Sequence, residues 1–280
     1  MWVAERHRLI LALLNTHQGL TTERFAEALG VSRETVRRDL IELERSGQLA
    51  RVHGGAVAAA AGSPPEPAYA ERAALQQQQK RDIAQQAAAL PAPGQTCFLD
   101  AGSTTLALAQ ALAPREGLIV ITNSLDAAMV LACHRHHEVR LLGGRLEDDV
   151  PATYGEQTAA EIARLHVDWA FVSPVALDAV NGAMDYLWHE ATVARAMLGR
   201  ARRRVVLADA SKLGQASRVQ ICPPVEVDVL VTDAGADPQV LAALAAAGVG
   251  QVLQAPAPPH AAEGPRAAEI QRTAEVQRAA

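Results

Sequence analysis

The sequence is poor in aromatic residues, cysteine and lysine, and it has no long hydrophobic run. Phe, Trp and Tyr together supply 3 % of the 280 residues, so a core drawn from the 49 % hydrophobic residues has to consist mainly of Ala, Leu and Val. The three cysteines lie far apart and form no Cys-x-x-Cys pair, which indicates reduced thiols. No signal peptide is visible, and no apolar run reaches the roughly 18 residues of a membrane span. These absences predict a cytoplasmic protein that makes no membrane contact.

Charge is distributed unevenly along the chain. The formal net charge of −5 does not suit a protein that binds nucleic acid over its whole surface. Residues 1–56 nevertheless carry a net +1, whereas the remainder carries −6. A DNA-binding surface would therefore be local and would lie in the N-terminal part. The length of 280 residues predicts two domains of unequal size.

Residues 1–57 have the pattern of a winged helix-turn-helix domain. Apolar residues at helical spacing predict helices over 3–16 and about 22–29, and a third helix that begins after Ser32. A tight turn at Gly30 separates the last two helices. The stretch QLARVHGGAV that follows is typical of a β-hairpin wing.

The third helix, SRETVRRDL, carries three arginines on the face that its apolar stripe leaves outside. Arginine can read guanine bidentately in the major groove, and hydroxyl groups reach phosphates or bases. The alternative is a solvated face on which the arginines pair with acidic neighbours, but the preceding helix, the turn and the wing favour DNA binding. The helix residues expected to face DNA are Ser32, Arg33, Thr35, Arg37 and Arg38. Arg51 and His53 on the wing are expected to reach phosphate, with a hairpin-edge role as the alternative.

Low-complexity segments divide the rest of the chain. The stretch AAAAGSPPEP at 58–67 predicts a linker, and residues 256–280 predict a loosely ordered tail. Between them, residues 68–255 begin with a Gln-rich helix over about 68–89 and continue with short apolar strands that alternate with helices. This alternation predicts a mostly parallel sheet covered on both faces. The fold class is therefore α/β, with an N-terminal winged helix-turn-helix and a larger, mostly parallel α/β domain.

Small and hydroxyl-bearing residues follow several of the predicted strands. In LDAGSTT an apolar strand ends in a turn at the start of a helix, where backbone N–H groups and the helix dipole favour an anion. The carboxyl edge of a parallel sheet is also where α/β proteins bind ligands. Such a turn alone can simply cap a helix, but its repetition predicts a phosphate-binding cradle. The cradle residues are Gly102, Ser103, Thr104, Thr105, Thr122, Asn123, Ser124, Gly143 and Gly144.

Lys212 is one of only two lysines in the chain, and it follows a predicted strand in the segment DASKLG. Beside a phosphate cradle it could neutralise the charge of a ligand, whereas the alternative is a surface turn. The run CHRHH at 133–137 lacks a second pair of ligands at metal-site spacing, so we predict no metal and no cofactor. Serine-hydrolase, P-loop and dinucleotide-binding motifs do not occur in the sequence.

From about residue 5 to residue 233 the sequence resembles the DeoR family of transcriptional regulators. The resemblance is carried by VSRETVRRDLIELERSGQLARVHGGA in the N-terminal domain and by FLDAGSTT, VITNSL, LLGG, DWAFVSP and LADASKLG in the second domain. It implies an operator-binding winged helix and a sensor domain that is similar to ribose-5-phosphate isomerase and binds sugar phosphates. By motif, the resemblance adds Asp100 to the ligand-site residues.

The expected function is that of a DNA-binding transcriptional repressor whose operator binding is controlled by a phosphorylated sugar or polyol. Because a two-fold symmetric operator is bound by two DNA-binding domains, we expect a homo-oligomer, either a dimer or a tetramer. The alternative is an isomerase-like enzyme that acts on a sugar phosphate and carries a fused DNA-binding domain. Such an enzyme would need a general base with an acidic partner beside the cradle. The isomerase's Lys-Gly-Gly-Gly loop and acidic pair are not found in the sequence, so we expect no enzymatic activity.

Overall fold

The computed structural model describes residues 3–17, 19–45, 49–52, 55–58, 68–146 and 149–256. The predicted linker from residue 59, the tail from residue 257 and the wing residue His53 lie outside these ranges. Within them, no helix is both long and apolar enough to cross a membrane.

Residues up to 58 fold as helices packed on a small antiparallel sheet. The elements in chain order are α1 (Val3–His17), β1 (Gly19–Thr21), α2 (Thr22–Leu29), α3 (Arg33–Arg45), β2 (Leu49–Val52) and β3 (Gly55–Ala58). Strand β3 lies between β1 and β2 and is antiparallel to both. The predicted helix-turn-helix with its hairpin is confirmed. The sequence pattern did not predict β1, and β3 extends one residue beyond the expected end of the domain.

Local capping explains where α2 and α3 begin and end. The Thr21 side chain accepts a hydrogen bond from the backbone N–H of Arg24, and Gly30 ends α2 in the left-handed conformation with φ 64°. Ser32 Oγ then accepts the backbone N–H of Thr35 at 3.1 Å and starts α3. The apolar stripes of the three helices are buried together in one cluster. The caps and this shared core thus fix the turn that joins α2 and α3.

Residues 68–256 are built on a seven-stranded sheet. The helices are α4 (Tyr69–Ala74), α5 (Gln77–Ala88), α6 (Ser103–Leu112), α7 (Leu125–Ala132), α8 (Glu156–Ala163), α9 (Trp188–Leu198) and α10 (Pro238–Ala246). The strands are β4 (Thr96–Leu99), β5 (Ile119–Thr122), β6 (Glu138–Leu141), β7 (Arg145–Leu146), β8 (Thr153–Tyr154), β9 (Val167–Val172), β10 (Ala176–Asp178), β11 (Gly182–Asp185), β12 (Ala201–Leu207), β13 (Val219–Cys222), β14 (Val229–Thr232) and β15 (Gln251–Gln254).

The large sheet has the strand order β15-β14-β12-β9-β4-β5-β6, and its neighbouring strands are parallel throughout. Successive side chains of a strand point to opposite faces, so Phe98 joins one apolar cluster while Cys97 and Leu99 join another. Both faces of the sheet are therefore covered, as predicted. Two smaller antiparallel sheets, β10-β11-β13 and β7-β8, were not predicted.

Two predicted helices were wrong in their extent. The helix expected over 68–89 is broken between α4 and α5, where Gln76 has a φ of 51°. The Lys80 ammonium group caps the break by donating to the backbone carbonyls of Arg72 and Leu75. The second is a helix that the residue pattern predicts over 190–202, whereas α9 extends from Trp188 to Leu198. Arg202, Arg203 and Arg204 belong to β12 instead, because this strand pairs with β9 from Ala201 onward.

Candidate DNA-binding surface and ligand pocket

Helix α3 presents its arginines to solvent. The side chains of Arg33 and Arg38 are 70 % and 80 % exposed, and Arg37 is exposed as well. Arg33 pairs with Glu23 of α2 at 2.9 Å, and Arg38 lies 3.8 Å from Glu34. Exposed pairs of this kind contribute little stability, so a DNA phosphate or base can replace the carboxylates at small cost.

The hydroxyl groups at the start of α3 are already hydrogen bonded to each other. Ser32 Oγ lies 2.9 Å from Thr35 Oγ1, in addition to capping the helix. Ser32 stays exposed and Thr35 half-buried, which leaves room for contact with DNA. The backbone of Arg51 lies in β2, but its side chain is outside the described part of the structure, as is all of His53.

A buried ion pair fixes α3 against α1. Arg6 donates from Nε to Asp39 Oδ2 at 2.5 Å and from Nη2 to Asp39 Oδ1 at 2.7 Å. The His7 ring nitrogen Nε2 lies 3.3 Å from the same Oδ1 atom. Burial raises the pKa of Asp39, but the hydrogen bonds from Arg6 and His7 outweigh burial and bring this pKa below its ordinary value. Helix α3 is therefore oriented by a charged contact as well as by apolar packing.

The second domain has a cavity of about 190 Å³ at the carboxyl edge of its sheet. Three adjacent strands, β12, β9 and β4, end at this cavity, and the α4–α5 segment covers it. The lining residues are Arg72, Leu75, Gln76, Lys80, Gly102, Ser103, Ser173, Val175, Asp209, Ser211 and Lys212. This is the position at which α/β sheets bind ligands.

Three cationic side chains line the cavity. Lys212 Nζ donates to the backbone carbonyl of Pro174 at 2.7 Å and to Ser173 Oγ at 3.2 Å. Lys80 is 6 % exposed, and its pKa is lowered to about 8, first by burial and then by the positive charge of Lys212. Arg72 completes the set. One carboxylate, that of Asp209, lines the same space, and it accepts a hydrogen bond from the Ser211 N–H at 3.1 Å. Cations outnumber carboxylates in the lining, and such a lining suits an anion.

The structure brings Gly102, Ser103 and Lys212 of the predicted cradle to this cavity. Gly102 has a φ of 156°, and Ser103 begins α6, so the first turn of that helix faces the cations. Thr104 and Thr105 are buried in the same turn, where Thr105 Oγ1 donates to the Gly102 carbonyl at 3.0 Å. The helix N-terminus and the cations therefore converge on one space.

The predicted residues after β5 and β6 do not line the cavity. Ser124 Oγ caps α7 through the N–H of Ala127, Thr122 Oγ1 accepts the N–H of Ser124, and Asn123 Nδ2 donates to the Thr153 carbonyl. Gly143 donates its N–H to Glu161 at 3.0 Å. A Cβ atom on Gly144 would lie 2.2 Å from Thr158 Oγ1. The residues Thr122, Asn123, Ser124, Gly143 and Gly144 thus serve the turns and packing of this edge.

An acidic pair that differs from the isomerase's own pair lies near Asp100, and it consists of a buried and a half-buried carboxylate. Glu190 is hydrogen bonded to Asp185, and the Tyr154 hydroxyl lies 3.5 Å from Glu190 Oε1. Burial raises the pKa of Glu190 well above its usual range. Burial also raises the pKa of Asp100 to about 8, and the negative charge of Glu190 raises it further. The hydrogen bond from the Ala101 N–H lowers this pKa but does not outweigh burial. Asp100 is therefore close enough to interact with the pair.

Sequence reasoning missed most of the cationic lining. Arg72 and Lys80 lie in a helical stretch whose Gln-rich composition gives no sign of a binding site. The rarity of lysine was the one available signal, since both lysines of the chain line the cavity. Ser173, Asp209 and Ser211 follow β9 and β12 and could have been found by applying the strand-end rule to every strand.

Comparison with known proteins agrees with this two-part architecture. A family described as the DeoR-like helix-turn-helix domain matches residues 6–61, and one described as the DeoR C terminal sensor domain matches residues 75–234. The HTH-type transcriptional regulator GlpR of Haloferax volcanii is 36 % identical over 250 residues, which cover 89 % of this chain and 97 % of that protein. The glycerol-3-phosphate regulon repressor of Haemophilus influenzae is 34 % identical over 227 residues, which cover 81 % of this chain and 88 % of that protein.

Among solved structures, ribose 5-phosphate isomerase A of Methanocaldococcus jannaschii aligns with 49 % of this chain and 54 % of its own, at 21 % identity and a TM-score of 0.36. An alignment this partial supports no functional argument. The family matches and the relatives do: this chain belongs to the DeoR family and is a DNA-binding transcriptional regulator.

Proposed function

We propose that the chain is a repressor whose operator binding is controlled by a phosphorylated sugar or polyol held in the cavity of the second domain. The observation that carries this proposal is the position of Lys212 beside the first turn of α6, in a cavity whose cations outnumber its carboxylates. A phosphate group is the small anion that uses both backbone N–H groups and several cations. The name of the Haemophilus relative, a glycerol-3-phosphate regulon repressor, supports this ligand class.

The DNA-facing residues of α3 and the wing belong to the same proposal. One α3 helix can read one half-site, so we propose that the protein acts as a homo-oligomer on a two-fold operator. We place its action in the cytoplasm, where operators and phosphorylated sugars occur together.

The effector site is tested by Lys212→Ala. Removing one charge-assisted hydrogen bond to phosphate costs about 1.5–3 kcal/mol, so we expect affinity for the phosphorylated effector to fall about 10- to 150-fold. A thermal-shift screen of sugar and polyol phosphates first identifies the ligand, because a compound that binds only the folded state raises apparent stability. Calorimetry then compares wild type and variant with that compound and with its dephosphorylated analogue.

The control is Arg81→Ala, which removes a positive charge from an exposed position on α5 that does not line the cavity. This variant should bind the effector as the wild type does, and both variants should bind operator DNA normally. Equal affinity of wild-type protein for the phosphate and for its dephosphorylated analogue would contradict the proposal.

The buried Asp185–Glu190 pair is the one observation that favours a second candidate, an enzyme acting on a sugar phosphate. A general base must be ionised at the working pH. Burial raises the pKa of Glu190 well above its ordinary value and that of Asp100 to about 8, which disfavours the ionised form that a general base requires. None of Asp100, Asp185 and Glu190 lines the cavity, so we propose that this acidic group abstracts no proton from a ligand bound there. Conversion of ribose 5-phosphate to its ketose by the purified protein would establish the enzyme instead.

A further inference from the structure

The short helix α4 covers the ligand cavity but has no buried residue of its own. Its first residue, Tyr69, donates its backbone N–H to both carboxylate oxygens of Asp149 at 3.1 Å. Arg72 lies 3.9 Å from the same carboxylate. Polar contacts therefore hold α4 over the cavity, together with partial packing of the Tyr69 side chain against the apolar core.

Lys80 joins the end of α4 to the cavity. Its ammonium group donates to the backbone carbonyls of Arg72 and Leu75, the second at 2.8 Å. An ammonium group has three N–H donors, and Lys80 also lines the cavity, so a third donor is available to a ligand there. Gln76, which follows Leu75, is the only non-glycine residue with positive φ in the described ranges. The break between α4 and α5 is thus a sharp turn, and Lys80 holds its carbonyls.

Electrostatics favour an anion between these groups. Lys212 is close enough to Lys80 for its positive charge to lower the pKa of Lys80, and the charge of Arg72 also lowers this pKa. A bound dianion would replace this repulsion by attraction to all three cations. Because Arg72 and the carbonyls held by Lys80 belong to the α4 segment, the same anion would also hold α4 in place.

We propose that Arg72 and Lys80 bind the effector phosphate together with Lys212, and that α4 is a strap which the phosphate fixes over the cavity. Residues 59–67 connect Ala58 at the end of β3 to Ala68, which directly precedes α4. A change in the position of α4 would therefore move the point at which the chain from the DNA-binding domain enters the second domain. This inference rests on the proposed function, since it takes the cavity to be the effector site.

The test uses the full-length protein with inorganic phosphate as the first probe and glycerol 3-phosphate as the second. We expect Arg72→Gln and Lys80→Met each to weaken phosphate binding at least tenfold in calorimetry. Arg81→Gln is the matched control, because it removes a charge from the exposed side of α5. Hydrogen exchange measures the strap itself: phosphate should slow exchange of the amides of residues 69–76 in the wild type and not in Arg72→Gln.

A further variant, Asp149→Asn, removes the carboxylate that anchors Tyr69 and Arg72 but does not line the cavity. This variant should speed hydrogen exchange over residues 69–76 in the absence of phosphate. If Lys80→Met fails to fold, Asp149→Asn and Arg72→Gln together still test whether α4 acts as a strap. Loss of binding in Lys212→Ala with wild-type affinity in Arg72→Gln and Lys80→Met would overturn this inference and leave the proposed function standing. Unchanged exchange over residues 69–76 at saturating phosphate would overturn the strap. If no inorganic or sugar phosphate binds the wild type, the proposed function fails and this inference fails with it.

Discussion

Asp39→Ala should lower the free energy of unfolding of the N-terminal domain by about 3–5 kcal/mol, the usual cost of removing one partner from a buried ion pair. The variant leaves the Arg6 guanidinium group buried between α1 and α3 without its carboxylate. Since a domain of this size has a stability of only about 5–15 kcal/mol, this loss is a large fraction of the total and brings a domain at the low end of that range close to its unfolding midpoint. Operator binding should fall with it, because α3 is the helix that we propose reads the operator.

The Arg6–Asp39 ion pair also makes the stability of the N-terminal domain depend on pH. The pKa of Asp39 is lower in the folded state than its ordinary value of about 3.9. A lowered folded-state pKa means that the pair stabilises the domain at every pH above that ordinary value. This stabilisation is lost as the pH falls below about 4 and through the folded-state pKa. Asp39→Asn should remove this part of the acid dependence.

Hydrogen exchange in the full-length chain is the measurement for Asp39, with the amides of α1 and α3 as reporters. The control is Glu34→Ala, which removes an exposed carboxylate on the same helix and should change stability by no more than about 0.5 kcal/mol. Wild-type protection of α1 and α3 in Asp39→Ala would show that apolar packing alone orients the recognition helix.

Most helices and strands could be predicted from the sequence, because apolar patterns indicate the element and glycine or proline residues mark its ends. The break at Gln76 could not, because neither glycine nor proline marks it, and the Lys80 ammonium group that stabilises it by donating to two backbone carbonyls is part of an ordinary helical pattern in the sequence. The hairpin of β10 and β11 had a local signal in Asn181-Gly182, a dipeptide typical of tight turns. That signal was not used.

The sequence predicted that the ligand site lies at the carboxyl edge of the sheet, but it did not predict most of the residues that line the cavity. Three strand ends with small or hydroxyl residues had been identified, those after β4, β5 and β6. The cavity instead gathers the ends of β12, β9 and β4, because the order of the strands places β5 and β6 toward one side of the sheet. Strand order depends on long-range pairing, which residue patterns within each strand do not encode. Lys212 lines the same cavity as the α6 turn because only β9 separates β12 from β4.

Arg37→Ala and Arg38→Ala should each weaken operator binding by about 1–3 kcal/mol, or about 5- to 150-fold, and the double variant should show no sequence-specific binding. The two side chains lie on the exposed face of α3, opposite the stripe that packs in the domain core. Arg38 gives up only an exposed contact with Glu34 when it turns to DNA, and among the described residues Arg37 forms no ion pair that would compete. Neither substitution touches the Arg6–Asp39 pair, so the fold should be retained.

The operator is first selected from a randomised duplex library with wild-type protein, and affinities are then measured by gel shift at one fixed salt concentration, since phosphate contacts make binding salt-dependent. Arg8→Ala serves as the control because it removes an exposed positive charge from α1 of the same domain without altering α3. A loss confined to the selected sequence identifies a base contact, whereas an equal loss on unrelated duplexes identifies a phosphate contact. Wild-type affinity in both α3 variants, with unchanged circular dichroism, would mean that another surface of the N-terminal domain reads the operator.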